Sequence, residues 1–392
     1  MFADRTNWKL AQNRLTLALE EVRAAGASVL DLSISNPTQC GFSYDEAAIL
    51  AAFQNPRSLE YDPQPKGLLA ARQQVARYYE IDHRTVVDPD SIILTTSTSE
   101  AYSYLFRLLC NAGDEVLVPK PSYPLFDFLA DLHDVSLVPY TLAYAQGWMV
   151  DFQSVERAIT PRTRAILLVH PNNPTGSHIR AEEARQFREI CRARDLALIV
   201  DEVFLDYAFD GVARQSFTAN ADVLTFTLSG LSKISALPQM KVAWVAASGP
   251  QALVRSALER LEVIADTFLS LSAPAQWSLP ALLEQRHALR QQLLHRLREN
   301  RAALQALVTR HKNCELLDAE AGWYAVLRVP VRGSDEDLGV ELLRKKQVLV
   351  HPGHFYDFPR EGYLVLSLLP QPNIFREGVE RLLAFQPQAD AR

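Results

Sequence analysis

The chain has 392 residues, 48% of them hydrophobic and 22% charged, with a formal net charge of −6. That composition supports a large domain plus a smaller one with a sizeable core, and it argues against wholesale disorder. It also excludes several classes. There is no basic stripe or tail for nucleic acid, and no uninterrupted apolar run of the ~18 residues that a membrane span needs. Met1 to Lys9 carries an early Asp4 and does not read as a signal peptide. Cys40, Cys110, Cys191 and Cys314 stand far apart with no CxxC, which fits a reduced, cytoplasmic chain better than a disulfide scaffold or zinc site.

In chain order, a helix is expected near Leu10 to Ala25, then an extended stretch at Val29 to Ser35. Ser91 to Thr95 reads as a strand and Ser99 to Cys110 as a helix; Glu115 to Val118 is the next strand and Tyr123 to Leu132 the next helix. Further strands are expected at Val135 to Pro139, Arg164 to Val169, Leu196 to Val200 and Asp222 to Phe226, with helices near Phe152 to Ile159 and Ala181 to Asp195. Short, nearly all-apolar strands between helices imply a mostly parallel sheet covered on both faces, an α/β layered domain. Beyond Pro250 the pattern changes. Leu289, Leu293, Leu297 and Leu304 predict a long helix over Pro280 to Leu307. Strands follow at Gly322 to Arg328, Gln347 to Val350 and Tyr363 to Leu368, with helices at Asp335 to Lys345 and Ile374 to Phe385. The expected organisation is a large domain over 46–280 and a smaller α+β unit built from 1–45 with 281–392.

The residues with chemistry cluster at strand ends. Asp201 closes the buried run Leu196 to Val200, and Lys233 follows 32 residues later in Ser229-Gly230-Leu231-Ser232-Lys233. In a parallel sheet the carboxyl ends of the strands face the ligand crevice. A carboxylate there can keep a pyridine nitrogen protonated, and a buried lysine can be neutral enough to form a Schiff base. A strand-end Asp and a loop Lys are also common in any α/β protein. His170-Pro171-Asn172-Asn173-Pro174-Thr175-Gly176 follows the Arg164 to Val169 strand and brings Asn173, an amide donor, to the same edge.

Together these stretches resemble the class I and II aminotransferases, the fold-type-I pyridoxal-phosphate (PLP) enzymes. PNNPTG, then DE, then SxxSK occur in the family's order, and the likeness runs through nearly the whole chain. The resemblance implies an aspartate-aminotransferase-like fold, with Lys233 as the Schiff-base lysine and Asp201 as partner of the ring nitrogen. It assigns Asn173 to the ring oxygen and the substrate carboxylate. Ser97, Thr98 and Ser99, at a strand-to-helix junction, would take the phosphate; by themselves they read as an ordinary helix cap. Tyr123 of Pro121-Ser122-Tyr123-Pro124 would stack on the ring, and Tyr61 of Tyr61-Asp62-Pro63 would reach the phosphate from a neighbouring subunit, which implies a homodimer. Lys241 stands where the family has a phosphate-binding Arg and supplies a point charge without the bidentate fork.

Two departures bear on function. Phe204 replaces the usual Tyr three residues after Asp201, so one donor to the cofactor's ring oxygen is missing and the imine should hold its proton to higher pH. Val365 replaces the usual Arg of the last strand, two residues before Ser367, which grips the substrate carboxylate. Asn36, Arg328, His351 and His354 are the candidate replacements. The His351-x-x-His354 spacing lacks the further ligands a metal site needs.

The implied reaction is ping-pong transfer of an amino group from an α-amino acid to a 2-oxo acid, with Lys233 moving the proton at the α-carbon. A β-elimination lyase or another α-carbon enzyme of the same fold is the alternative, since one fold hosts many chemistries. A PLP-sensing regulator would need a DNA-binding unit, and no basic helix-turn-helix reads before residue 46; a plain binding module would leave the Asp201–Lys233 pair without purpose.

Overall fold

A computed structural model describes residues 1–311 and 313–385. An eight-stranded sheet forms its centre. In spatial order the strands are Ile92–Thr95, Ala243–Ser248, Thr225–Gly230, Ala197–Asp201, Thr163–Val169, Glu115–Lys120, Ser136–Tyr144 and Trp148–Val150. The sheet is mostly parallel: only Ala243–Ser248 and the edge strand Trp148–Val150 run against the rest. This is the α/β architecture expected.

Alternate residues of each strand feed different cores, as the two-residue repeat of a strand requires. Val116, Leu167, Ile199, Phe226 and Val245 face helices Thr98–Leu109 and Gln251–Phe268. Leu117, Leu168, Leu198 and Val200 face the opposite way, into a core shared with the later part of the chain. Burial on both faces explains why these strands are continuous apolar runs rather than alternating ones.

A second, smaller sheet lies outside the eight-stranded one. Glu315–Leu316, Tyr324–Arg328, Tyr363–Ser367 and His351–Pro352 make an antiparallel sheet. Leu30–Asp31 pairs in parallel with Val348–Leu349, and helix Arg14–Ala24 buries Leu15, Ala18 and Val22 against Val340, Leu343 and Leu349. Helix Asp335–Lys346 begins at a Ser334/Asp337 capping box, with acids in its first turn and bases in its last, the arrangement the helix dipole favours.

Several boundaries shift, the first helix among them, which runs Arg14–Ala24 rather than from Leu10. The long helix begins at Arg286, not Pro280, and runs to Val308; Pro280 lies inside a separate helix, Ala273–Glu284. Leu289, Leu293, Leu297 and Leu304 do line the buried face, each fully buried leucine contributing roughly 1.5–3 kcal/mol. The strand expected over Asp222 to Phe226 starts at Thr225 instead, because Asn220 turns the chain, accepting from the Asp222 N–H and donating to Thr225 Oγ1. The strand Ala243–Ser248 has no counterpart in the sequence reading, and it proves to shape the site.

Candidate active site

The sheet's register brings the chemistry to one edge. Val169 pairs with Asp201 and Asp201 with Leu228. The reversed strand starts with Ala243 beside both Gly230 and Thr95. The carboxyl ends of four strands and the amino end of a fifth therefore meet. Between them lies a cleft of about 310 Å³, lined among others by Ser35, Ser97, Thr98, Ser99, Tyr102, Tyr123, Asn173, Asp201, Phe204, Ser232, Lys233, Lys241 and Tyr324. Gly230 allows this approach: a Cβ there would lie 2.8 Å from the Ala243 Cβ and 2.9 Å from the Val242 carbonyl oxygen.

Asp201 is buried and held from two sides. Its Oδ1 accepts from the Val203 N–H at 3.1 Å and its Oδ2 from the Tyr102 hydroxyl at 2.8 Å. Burial still pushes its pKa up, with those two donors and Lys233 pulling the other way. It is a carboxylate short of a cation, suited to receive one from a ligand.

Lys233 sits in a short helix, Leu231–Ile234, whose backbone is anchored by the Tyr207 hydroxyl donating to the Lys233 carbonyl at 2.6 Å. Its Nζ lies 4.9 Å from the centre of the Trp323 ring and 5.6 Å from that of Phe204. Burial among these rings lowers its pKa to about 8, Asp201 opposing. A substantial neutral fraction follows at mildly alkaline pH, which is the condition for a nucleophilic amine.

Asn173 projects from a tightly bonded turn. Asn172 Oδ1 accepts from Thr175 Oγ1 at 2.9 Å, and the Gly176 N–H donates to the Asn172 carbonyl at 2.8 Å. The Asn173 side chain takes no part in this, and its Oδ1 is buried without a hydrogen-bond partner among the described residues. Ser97 caps helix Thr98–Leu109, its Oγ accepting from the Glu100 N–H at 3.2 Å. Lys241, held at φ 52°, reaches the cleft from the turn before the reversed strand.

Not every expected residue arrives. Arg328 ends its strand in an ion pair with Glu315, away from the cleft. Asn36 caps the turn Pro37–Gln39, its Oδ1 accepting from the Thr38 N–H and hydroxyl. His351 lies against Tyr356, with 3.1 Å between its Nδ1 and that hydroxyl, and His354 is exposed. Val365 is 0% exposed, between Val326 and His351 in the sheet. Tyr61 is 86% exposed and lies in a surface hollow distinct from this cleft.

Tyr102, Ser35 and Tyr324 are among the lining residues not singled out from the sequence. Tyr102 could have been: it stands four residues after Thr98, hence on the same helix face. Ser35 and Tyr324 carry no local signal, since only the packing of the second sheet brings them in.

The fold and this edge define a member of the aspartate-aminotransferase-like α/β enzymes. Residues 27–377 match the family model for aminotransferase class I and II, and the chain belongs to that family: it is an aminotransferase. It is 27% identical over 376 residues to the glutamate–pyruvate aminotransferase AlaA of Haemophilus influenzae, covering 94% of this chain and 92% of that one. It is 28% identical over 369 residues to an alanine aminotransferase of Mycobacterium bovis, covering 92% and 86%. An alanine aminotransferase from Pyrococcus furiosus has the same fold, with a TM-score of 0.90 at 22% identity and 98% of both chains covered. An aminotransferase from Escherichia coli superposes with a TM-score of 0.86 at 24% identity, covering 98% of this chain and 97% of that one.

Proposed function

We propose that this aminotransferase works on pyridoxal phosphate carried by Lys233, moving an amino group from an α-amino acid to a 2-oxo acid in two half-reactions. The observation that carries the proposal is the pairing, across one cleft, of a desolvated amine with a buried carboxylate that lacks a full charge partner. The fit to the cofactor rests on the same residues. Lys233 would hold its aldehyde carbon, Asp201 its ring nitrogen, and Asn173, which lines the same cleft, the ring oxygen through its amide N–H. Tyr123 would cover a ring face, and Ser97, Thr98, Ser99 and Lys241 would receive the phosphate at a helix N-terminus. The cofactor, once bound, supplies an electron sink for the charge left at the donor's α-carbon.

The chain's own residues do the rest. Asp201 stays ionised against the ring N–H, steadied by the Tyr102 hydroxyl and the Val203 N–H. Lys233 Nζ is placed to take the proton from the donor's α-carbon and pass it to the carbon that carried the aldehyde, after which water would release the oxo acid, a task suited to a group with a pKa of about 8. Trp323 and Phe204 keep water from the amine. Because product leaves before the second substrate enters, kinetics are ping-pong.

Other supports are surface features. Tyr61 and Leu59 are both exposed, and Tyr61 lines a hollow other than its own chain's cleft. This favours a homodimer in which Tyr61 completes the partner's site. The pairing of Leu30–Asp31 with Val348–Leu349 supports the division into a 46–280 unit and a 1–45 with 281–392 unit. Four unpaired thiols fit the cytoplasm; among the described residues no helix is long and apolar enough to cross a membrane.

The test is borohydride reduction of the purified, PLP-loaded protein followed by peptide mass mapping. The cofactor mass is expected on the Lys233 peptide; its appearance elsewhere sinks the proposal. A companion absorbance screen against single amino acids separates transaminase from lyase, because a donor alone converts a transaminase's cofactor to its aminated form. The names of the relatives make alanine, glutamate and pyruvate the first compounds to try.

A further inference from the structure

We infer that the substrate's carboxylate is held here by neutral donors only, the Tyr324 hydroxyl with Ser35 and Asn173, so that Tyr324 sets specificity at this end of the cleft. The inference rests on the functional proposal above and adds to it the chemistry of the carboxylate subsite.

The cations are accounted for. Lys233 and Lys241 are the only basic side chains lining the cleft among the described residues. Lys233 is committed beside Asp201 and the aromatic rings, and Lys241 sits at the Ser97–Ser99 end. Arg328 is turned away to Glu315. Val365 is sealed in the sheet. An anion entering the remaining end meets no arginine among the described residues of this chain's cleft.

What it meets instead is polar and uncharged. Tyr324 begins the strand Tyr324–Arg328 and reaches the cleft with its side chain otherwise buried. Ser35, Asn173 and Tyr324 line the same cleft. Burial raises its pKa to about 12, Ser35 and Asn173 opposing. At neutral pH it is therefore a phenol with a proton to donate. Phe204 packs edge-on against Tyr324 and Trp323, with ring centres 6.2 and 5.3 Å away. This shields the hydroxyl from water, so a hydrogen bond formed there gains strength.

Two consequences distinguish neutral donors from a cation. An arginine would add full charge–charge attraction and a bidentate fork, which a carboxamide in the same place could not use. Hydroxyl and amide donors bind a carboxylate and a carboxamide oxygen with more similar strength. Hence this enzyme accepts α-amino acid amides or esters that an arginine-bearing site would reject. Loss of one donor should hurt the charged ligand more, because hydrogen bonds to charged groups are the stronger ones.

The experiment titrates the PLP-loaded protein with 2-methylalanine and with its primary amide, following the cofactor's visible absorbance. Both lack an α-hydrogen, so they bind without turnover. The wild-type dissociation constants are expected within roughly tenfold of each other. Tyr324→Phe should weaken 2-methylalanine by about 10-fold to 100-fold and the amide by about 2-fold to 10-fold. Ser35→Ala should move both the same way by less, and it carries the test if Tyr324→Phe does not fold. A wild-type preference for the carboxylate above about 1,000-fold, the mark of a cation, overturns the inference. So does a carboxylate affinity unmoved by both substitutions, or failure of either ligand to bind. If Lys233 carries the cofactor and these variants are silent, only this inference falls. If Lys233 takes no cofactor, the functional proposal falls first.

Discussion

The two ends of the cleft differ in how they are built. The Asp201–Lys233 end is charged, and each group there is fixed by backbone or hydroxyl contacts within one continuous sheet edge: Val203 and Tyr102 on Asp201, Tyr207 on the Lys233 carbonyl. The Tyr324 end is neutral and aromatic, assembled from Ser35 and a strand of a different sheet. The contrast teaches that the charged end is built within one sheet edge, while the neutral end needs residues of a second sheet brought against it. The buried charge at the Asp201–Lys233 end carries a cost in stability.

The largest effect should come from the charged end. Lys233→Ala is expected to lower turnover by more than about a thousandfold, since both the covalent anchor and the proton carrier are removed; steady-state assays with an amino acid and a 2-oxo acid check this, and sustained transamination would break the contrast.

The same lysine should also cost stability. Its folded pKa, about 8, lies below the ordinary 10.5, so the folded state disfavours the protonated amine. The penalty is fully present below pH 8 and relieved as pH rises from about 8 through 10.5. Urea unfolding of the cofactor-free protein should find Lys233→Met more stable than wild type at pH 7 by about 2 kcal/mol. That gap should shrink towards pH 10.5; a pH-independent gap would show that the amine is not desolvated.

A smaller change is expected where the two ends meet. Phe204→Tyr adds a donor beside Lys233, and the pH midpoint of the bound cofactor's visible absorbance should fall by roughly half a unit to one unit. An upward move would show that the new hydroxyl donates elsewhere.

The smallest effect should be at Arg328. Its guanidinium pairs with Glu315 at a half-exposed strand end, and exposed pairs contribute only ~0–1 kcal/mol. Arg328→Ala should leave the KM for any donor within about twofold; a large rise would return this arginine to the substrate site and undo the neutral-subsite inference.

Local sequence was enough for one end and not for the other. Chain order alone placed Asp201, Lys233 and Asn173 at one sheet edge, each at or just beyond the end of a parallel strand, whereas Ser97–Ser99 read locally as a helix cap and drew their phosphate role from the resemblance. Lys241 was legible only by resemblance. Its physical reason, the reversed strand Ala243–Ser248 that pairs Ala243 with both Gly230 and Thr95, had not been read as a strand at all. Direction of pairing is a long-range choice, and an apolar run does not encode it.

Tertiary structure alone decided the rest. It turned Arg328 outward, buried Val365, and carried Tyr324 and Ser35 into the cleft, whereas the Asn36 cap is a local contact with Thr38. These residues lie hundreds of positions apart or in a separate sheet, so their meeting depends on how two bodies of structure pack. Strand-end chemistry travels with the strand, whereas a subsite made across a packing interface exists only once the interface has formed.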